Sequence, residues 1–364
     1  MKEHYNMTVE AVKWKSKENN DNVVYSEALR NKCFTTMERI DKIPEYKWRF
    51  YRKICNAYDF NCREFAVNRA FYKLWEILSI HFPLLMEETM KEETKTATGT
   101  LHLAEAPGSF VQAVKMFYKN SHFMSIAVSK PASSYADVLK KGKKIPQFHP
   151  KVLSLSNCEF AYKELLDTAV LKSFITSLNK GSCLITADGG FDEELRYDSK
   201  ESLHYNLIIS EIICILLTQQ FNGSCILKVF ETFTETSICI LYLLCLHYES
   251  FDIVKPQTSR PTNAERYVVC KRFKGCKFSQ SDLYRLLEHD VTEGNILTLK
   301  IPKEFRDKII DVNEKITKVQ IDSIEHVLGL IQTDFNSIEK KQMLKDKKDA
   351  FSKWKMETKF QSFK

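Results

Sequence analysis

The sequence predicts an α/β fold with a mostly parallel, seven-stranded sheet and helical extensions at both ends of the chain. Short apolar runs of strand length alternate with helical patterns between residues 101 and 273, which is typical of parallel sheets covered on both faces. The last two runs are joined only by residues 256–265. Because this loop is too short for a crossover helix, we expect the last strand to run antiparallel to its neighbour.

The N-terminal part of the chain predicts helices. Residues 1–60 are rich in charged and aromatic side chains, and residues 46–58 follow a helical pattern. From Cys62 to about His81 apolar residues recur at helical spacing. We therefore expect an amphipathic helix that carries Lys73 and ends before Pro83.

The central part predicts strands and helices in turn. The predicted strands are residues 101–104, 123–128, 151–155, 182–187, 224–230, 251–255 and 266–273. The predicted helices are residues 110–118, 165–178, 202–220 and 236–247. An open sheet of this kind binds ligands beyond the carboxyl ends of its strands, so we expect the functional residues in the turns at those ends.

The alternation fades after about Lys274 into charged, helical sequence. We therefore divide the chain into an N-terminal extension (1–60), an α/β domain (61–274) and a Lys-rich C-terminal extension (275–364). The tail from Glu339 to Lys364 holds nine lysines against four acidic residues. It is either a solvated helix of mixed charge or an arm that follows phosphates.

Charge and cysteine content narrow the class of protein. A net charge of +7 is compatible with a polyanionic partner but does not establish RNA binding. The 11 cysteines include no C-x-x-C pair, which favours reduced, buried thiols over disulfides or a zinc site. The N-terminus lacks the apolar core of a signal peptide, and the apolar runs are shorter than a membrane span. We expect a cytoplasmic protein with neither a membrane nor a metal.

The first turn at a strand end, residues 103–110, joins a predicted strand to a helix. Its small residues, among them Pro107 and Gly108, allow the backbone to approach a ligand closely. The turn matches neither the G-x-G-x-x-G fingerprint nor a P-loop. By itself it is equally consistent with a tight structural turn and with a ligand loop.

Lys228 is unusual because the strand around it consists of apolar residues on both sides. A buried, unpaired ammonium is costly, which predicts either a carboxylate partner or a lowered pKa. Asp188 and Glu265, both at predicted strand ends, are the candidate partners. The alternative is that Lys228 extends from the strand end into solvent.

Four segments together resemble a known family. LHLAEAPGSF, SCLITADGGFD, CILKVFETFTETS and KPQTSRPTNAERYVVCKRF resemble, in order and spacing, the FtsJ/RrmJ-like S-adenosylmethionine-dependent RNA 2'-O-methyltransferases. The resemblance covers about residues 65–273 and is greatest to cap-specific members, including those of large cytoplasmic DNA viruses. It implies a Rossmann-like methyltransferase fold, S-adenosyl-L-methionine as cofactor, and the 5' end of capped mRNA as partner, with other capping or transcription proteins beside it. For a viral protein the location would be the host cytoplasm or the virion.

The resemblance also implies a catalytic tetrad of Lys73, Asp188, Lys228 and Glu265. The assignment of Lys73 to the tetrad rests on the short helical context NRAFYK. A ribose 2'-hydroxyl is a weak nucleophile at neutral pH, so a neutral amine that accepts its proton would assist methyl transfer. We expect Lys228 to be this base, with its pKa lowered by burial and by the like charge of Lys73.

The cofactor contacts are likewise implied by the resemblance. They are Glu105, Pro107, Gly108, Ser109, Ser129, Lys130, Asn157 and Asp188. Ser129 and Lys130 follow the second predicted strand, near the adenosine ribose, and Asn157 follows the third, near the adenine. Ser109 stands where many members have a second glycine, and Asn157 where many have an acidic residue.

Substrate contacts are less evident in the sequence. Lys255 and Arg260 precede Glu265 in the last loop, and we expect them to bind the RNA backbone, although ordinary solvated charges would look the same. Cap readers stack a cationic guanine between aromatic rings. Aromatic candidates are Trp48, Phe50, Tyr51, Tyr197 and Phe233. Packing is the more usual role of such residues.

The tetrad and the cofactor turn implied by the resemblance predict methyl transfer to the 2'-oxygen of the first transcribed nucleotide of capped mRNA. One alternative is 2'-O-methylation of structured ribosomal or transfer RNA by the same site. Another is a non-catalytic, RNA-binding subunit of a capping complex, which the intact tetrad disfavours. A nicotinamide-dependent oxidoreductase is disfavoured by the missing glycine fingerprint.

Overall fold

The computed structural model of the protein describes eleven stretches of the chain. They are residues 13–16, 27–59, 66–82, 99–118, 123–131, 147–178, 181–190, 200–287, 295–298, 300–333 and 337–360. The strands are β1 (Lys13–Ser16), β2 (Gly99–Leu103), β3 (Ser125–Ser129), β4 (Cys158–Tyr162), β5 (Ser182–Ala187), β6 (Gln219–Val229), β7 (Tyr248–Val254), β8 (Arg266–Phe273) and β9 (Asn295–Thr298). The helices are α1 (Glu27–Asp41), α2 (Glu45–Cys55), α3 (Ala70–His81), α4 (Ser109–Phe117), α5 (Pro150–Leu153), α6 (Thr168–Ser177), α7 (Lys200–Thr218), α8 (Glu235–Cys245), α9 (Gln280–Leu286), α10 (Lys303–Thr333) and α11 (Ser337–Glu357).

Seven strands form the central sheet in the order β4-β3-β2-β5-β6-β8-β7. Strands β2 to β6 pair in parallel, and β8 runs antiparallel to both β6 and β7. The prediction of a mostly parallel sheet with an antiparallel last strand is therefore confirmed. The order of strands along the chain reverses between β2 and β5, which places a ligand crevice beyond the carboxyl ends of these two strands. Strands β1 and β9 form a separate antiparallel pair.

The third predicted strand, residues 151–155, is wrong. Residues Pro150–Leu153 form the short helix α5, in which Pro150 occupies the first turn and the His149 side chain accepts a hydrogen bond from the Lys151 amide (3.1 Å). Both features favour the start of a helix. The third strand of the sheet is β4 instead, so Asn157 precedes this strand rather than following it.

The helix that carries Lys73 begins later than the apolar pattern predicts. Residues 66–69 form turns, and α3 begins at Ala70, whose amide donates to the Asn68 side chain (2.7 Å). An asparagine that accepts in this way competes with helical bonding and favours a helix start. The predicted start at Cys62 lies outside the described residues.

Both faces of the sheet are covered. One face packs against α7 and α8, and the other against α3, α4 and the aromatic residues Trp354 and Phe360 near the C-terminus. In the described part of the chain, one helix is long and apolar enough to cross a membrane, Glu201–Thr218 within α7, but 72% of that stretch is buried inside the protein. It acts here as the core helix of the sheet, as predicted from the apolar run.

The helices on either side of the sheet domain pack against each other. Apolar residues of α1 and α2 form one cluster with Ile321, Ile324 and Leu328 of α10. Asn313 of α10 bonds to both Thr232 and Arg266 at the ends of β6 and β8. The described part of the Lys-rich tail forms α11, which buries Trp354 against α3, where its indole N–H donates to Glu76 (3.1 Å). The division at residues 60 and 274 stays a prediction.

Candidate active site

The topology brings the four predicted tetrad residues to one edge of the sheet. Asp188 directly follows β5, and Lys228 lies one residue before the end of β6. Because β8 is antiparallel to β6, its first residues lie beside the end of β6, with Tyr267 opposite Lys228. Glu265 therefore reaches the same edge, and Lys73 approaches it from α3.

Lys73 and Glu265 form a close, nearly symmetric ion pair. The Lys73 ammonium lies 2.7 Å from one carboxylate oxygen of Glu265 and 2.8 Å from the other. The Ser259 hydroxyl donates a further hydrogen bond to Glu265 (2.8 Å). Burial would raise the pKa of Glu265, but the charges of Lys73 and Lys228 lower it to about 2. Glu265 is therefore a fixed negative charge.

Lys228 and Asp188 make a looser pair. The Lys228 ammonium donates to the Asp188 backbone carbonyl (2.7 Å), and the nearest carboxylate oxygen of Asp188 is 3.2 Å away. The same oxygen accepts a hydrogen bond from the Tyr267 hydroxyl (3.2 Å). The alternative of a lysine extending into solvent is excluded, since only 11% of the Lys228 side chain is exposed.

The pKa of Lys228 does not follow the sequence-based expectation. Burial lowers it, but the carboxylates of Asp188 and Glu265 raise it by more, so the net pKa lies above the ordinary value of 10.5. The expected lowering of the Lys228 pKa is therefore wrong for the protein without a bound cofactor. The physical reason is that the attraction of these carboxylates outweighs burial, and repulsion by Lys73 is not among the main influences on this pKa.

Glu211 of α7 is a buried carboxyl beneath this pair that sequence reasoning missed. It is fully buried and lies against Gly189, where an added β-carbon would stand 2.3 Å from a Glu211 oxygen. Burial raises the pKa of Glu211 to about 8, and Lys228 opposes this shift. A single acidic residue inside the apolar run 207–217 was the signal that could have identified it.

The turn after β2 is built tightly around the start of α4. One oxygen of the buried Glu105 carboxyl accepts from the Phe110 amide (2.7 Å) and the Val111 amide (3.0 Å), and so caps the helix. Gly108 has a φ of +104°, and an added β-carbon would stand 2.6 Å from Val152. Only glycine fits there. The Ser109 hydroxyl is buried without a protein partner in the described structure.

Two of the remaining cofactor candidates lie next to this turn. Ser129 ends β3, and its hydroxyl accepts from the Ala106 amide (3.3 Å). Lys130 follows it and places its ammonium 3.2 Å from Glu164, which lies just beyond β4. The structure thus places Ser129 and Lys130 at the carboxyl edge of the sheet, where the sequence predicts them.

Asn157 lies at the opposite edge, which contradicts its predicted place beside the cofactor. Its carbonyl accepts from the Ser125 amide at the first residue of β3 (3.0 Å) and from Lys115 (3.1 Å). The position after the third strand belongs instead to residues 163–164. Alternating apolar side chains in residues 158–162 were the signal for the true strand.

The two predicted RNA contacts have different surroundings. The Lys255 ammonium donates to the Asn263 carbonyl (2.6 Å), the Asn263 side chain (2.9 Å) and the Glu265 carbonyl (2.8 Å). These bonds use all three N–H groups and close the neck of loop 256–265, so the prediction that Lys255 binds RNA is contradicted. Burial lowers the pKa of Lys255 to about 7. Arg260 pairs with Asp59 (3.0 and 3.2 Å) and borders a cleft.

The aromatic candidates do not assemble into a cap pocket in the described structure. Trp48, Tyr51 and Phe233 are buried in the core. Phe50 is exposed on α2, and Tyr197 lies outside the described residues. Within the described ranges there is also no group of three or more His, Cys, Asp or Glu side chains that could hold a metal ion.

Comparison with known proteins agrees with this geometry. The chain is 28% identical over 277 residues to cap-specific mRNA (nucleoside-2'-O-)-methyltransferase 2 of Mus musculus, covering 73% of this chain and 36% of that protein. It is 32% identical over 274 residues to the protein of the same description from Danio rerio, covering 72% and 36%. The chain thus spans about a third of the length of these curated relatives.

A solved structure, a putative ribosomal RNA methyltransferase from Plasmodium falciparum, aligns with a TM-score of 0.40 and 20% identity over 57% of this chain and 98% of that one. The family model described as FtsJ-like methyltransferase matches residues 66–273, which is more than half of the chain. This stretch holds the whole central sheet and all four residues of the predicted tetrad. The chain therefore belongs to the FtsJ-like methyltransferase family.

Proposed function

We propose that this protein transfers a methyl group from S-adenosylmethionine to the 2'-oxygen of the first transcribed nucleotide of capped mRNA. The observation that carries the proposal is the convergence of Lys73, Asp188, Lys228 and Glu265 at one strand edge, although Lys73 and Glu265 are 192 residues apart in sequence. The similarity to proteins described as cap-specific 2'-O-methyltransferases supports the choice of substrate.

The residues around the turn after β2 fit the cofactor. The Ser109 hydroxyl is a buried polar group with no described partner, and Gly108 keeps the backbone of the turn free of a side chain. Ser109, the backbone of residues 105–108 and the strand-end residues Ser129 and Asp188 would hold it. When bound, S-adenosylmethionine supplies a methyl group on a cationic sulfur, whose charge opposes the carboxylates that raise the pKa of Lys228.

Lys228 would act at its Nζ atom. In its neutral form it accepts the proton of the ribose 2'-hydroxyl as the oxygen forms its bond to the methyl carbon. Asp188 orients the ammonium group through its carbonyl and carboxylate. Lys73 and Glu265 hold the opposite wall of the site as a neutral pair, which limits the number of uncompensated charges near the hydroxyl.

The test compares methyl transfer from labelled S-adenosylmethionine to two short RNAs of one sequence, one capped and one with a 5'-triphosphate. Nuclease mapping then locates the labelled ribose. We expect label only on the first nucleotide of the capped RNA. The matched control is the same capped RNA with a methyl group already on the first 2'-oxygen, which should accept none.

The other outcomes each contradict a part of the proposal. Label on the second nucleotide would leave cap dependence but exclude the first-nucleotide position. Label on both RNAs, or at internal positions, would favour an enzyme for structured RNA. No label, together with measured binding of both the cofactor and RNA, would favour a non-catalytic subunit.

A further inference from the structure

A cleft of about 320 Å³ lies between α2, α10 and loop 256–265. Arg52 and Asn56 contribute from the α2 side, Arg260 and Thr262 from the loop, and His326 from α10. The same loop leads directly into Glu265, so the cleft lies next to the candidate active site. Its volume falls at the lower end of the range for small-molecule sites, enough for a short piece of a nucleotide chain.

Positive charge exceeds negative charge in this region. Asp59 is buried and pairs with both Arg69 (2.9 Å) and Arg260 (3.0 Å). Arg52 is a third guanidinium nearby, and its buried Nε atom makes no hydrogen bond to the described residues. Burial and the like charge of Arg260 lower the pKa of Arg52 to about 10, which agrees with crowding of cations around a single carboxylate.

The chemistry of the lining favours a phosphate ligand over a base. Guanidinium groups bind phosphate oxygens through paired N–H donors, and the Asn56 amide and Thr262 hydroxyl add neutral polar groups. No Phe, Tyr or Trp ring is among the described residues that line the cleft. Such rings are the usual platforms for stacking a base or the cationic guanine of a cap. Asp322 of α10 also lines the cleft and would repel a phosphate.

We propose that this cleft binds phosphate groups of the RNA substrate, with Arg52 and Arg260 as the main contacts. The inference rests on the proposed function, because it assigns the cleft to the RNA that enters the same site. The phosphates come from one of two places in that substrate, the chain downstream of the acceptor nucleotide or the triphosphate bridge of the cap. Helix α10, which lies beyond the part matched by the family, thereby becomes a wall of the RNA path.

The experiment measures binding of the full chain to a capped RNA of about ten nucleotides, a length within the site sizes of single-strand clefts. Arg52→Gln should weaken binding about fivefold to tenfold and reduce the slope of log K against log salt by about 0.7, the value for one lost phosphate contact. Asp322→Asn should tighten binding, because it removes a repelling carboxylate. If Arg52 and Asp322 had only structural roles, the two variants would not change RNA affinity in opposite directions.

The matched control is Arg49→Gln, which removes the same charge from the exposed surface of α2, where Arg49 pairs with Glu45. It should change affinity by less than about twofold. His326→Glu, at an exposed position on the α10 wall, should weaken binding as Arg52→Gln does. It serves as the second variant if Arg52→Gln lowers the melting temperature. Equal affinity of the wild type, Arg52→Gln and His326→Glu would overturn the proposal, as would equal losses in Arg52→Gln and Arg49→Gln.

A capped dinucleotide distinguishes the two sources of phosphate. If Arg52→Gln weakens binding of the dinucleotide as well, the cleft binds the cap triphosphate; if only the longer RNA is affected, it binds the downstream chain. Both results support a phosphate site. Binding is measured without turnover, so the two proposals can fail separately. If the protein does not methylate capped RNA but Arg52→Gln still weakens RNA binding, only the proposed function is overturned.

Discussion

The two lysine–carboxylate pairs of the site differ in how the lysine is held. Lys73 contacts both oxygens of Glu265 at 2.7 and 2.8 Å, so the pair is closed and its two charges cancel. Lys228 instead bonds a backbone carbonyl and lies 3.2 Å from its carboxylate partner, with Glu211 beneath it. The difference separates a closed ion pair, Lys73 with Glu265, from a looser one, Lys228 with Asp188. Under the proposed function, Lys228 is the lysine that exchanges a proton.

The largest expected effect is the loss of methyl transfer in Lys228→Ala. Removal of a general base costs about 10²- to 10⁴-fold in rate, and Lys228→Arg should be equally slow because arginine does not lose its proton at working pH. Lys73→Arg should retain most of the rate, since a guanidinium also pairs with both oxygens of Glu265. The measurement is single-turnover methyl transfer with saturating cofactor.

Cofactor affinity and melting temperature serve as controls for these variants. Both should stay close to those of the wild type in Lys228→Arg and in Lys73→Arg. If Lys73→Arg is as slow as Lys228→Arg, the two lysines do not differ in role, and the comparison of a fixed and an exchanging pair is wrong.

Much of this arrangement follows from local signals in the sequence. Strand β5 has its predicted bounds, and the tetrad follows from residues at strand ends combined with the family resemblance. Two of the failures share a cause, since each depends on contacts made through space. Lys255 is held by the folded loop before Glu265, and the pKa of Lys228 depends on the carboxylates that the fold places around it. The misplacement of Asn157 has a local cause instead: residues 151–155 form an apolar run of strand length, but Pro150 favours the start of a helix.

A smaller effect is expected in the pH dependence of the rate. The pKa of Lys228 is raised by neighbouring carboxylates, so only a small fraction is neutral near pH 7. Below its pKa the neutral fraction grows about tenfold per pH unit, and the single-turnover rate should rise accordingly between about pH 6 and pH 8. A rate independent of pH over this range would show that Lys228 does not have to lose a proton, or that proton loss occurs in a step already complete.

The smallest expected effect concerns Glu211, the carboxyl that distinguishes the surroundings of Lys228 from those of Lys73. Its pKa is raised from 4.5 to about 8 by burial, so between these values the folded protein holds a proton that the unfolded chain has released. The free energy of unfolding therefore falls as pH rises through this window. Glu211→Gln, which keeps the shape of the protonated carboxyl, should remove this loss and stabilise the protein by about 1–3 kcal/mol near pH 8.5.

Denaturant unfolding of both proteins at about pH 5 and about pH 8.5 measures this difference. Glu314→Gln, the same change in an ion pair on the outer face of α10, is the control and should leave the pH dependence unchanged. Methyl transfer by Glu211→Gln should stay within a few fold of the wild type, because the neutral carboxyl is the form it imitates. Equal stability of Glu211→Gln and wild type at both pH values would mean that Glu211 is already ionised in the folded protein. Lys228 would then face a third negative charge, and a proton would be harder still to remove from it.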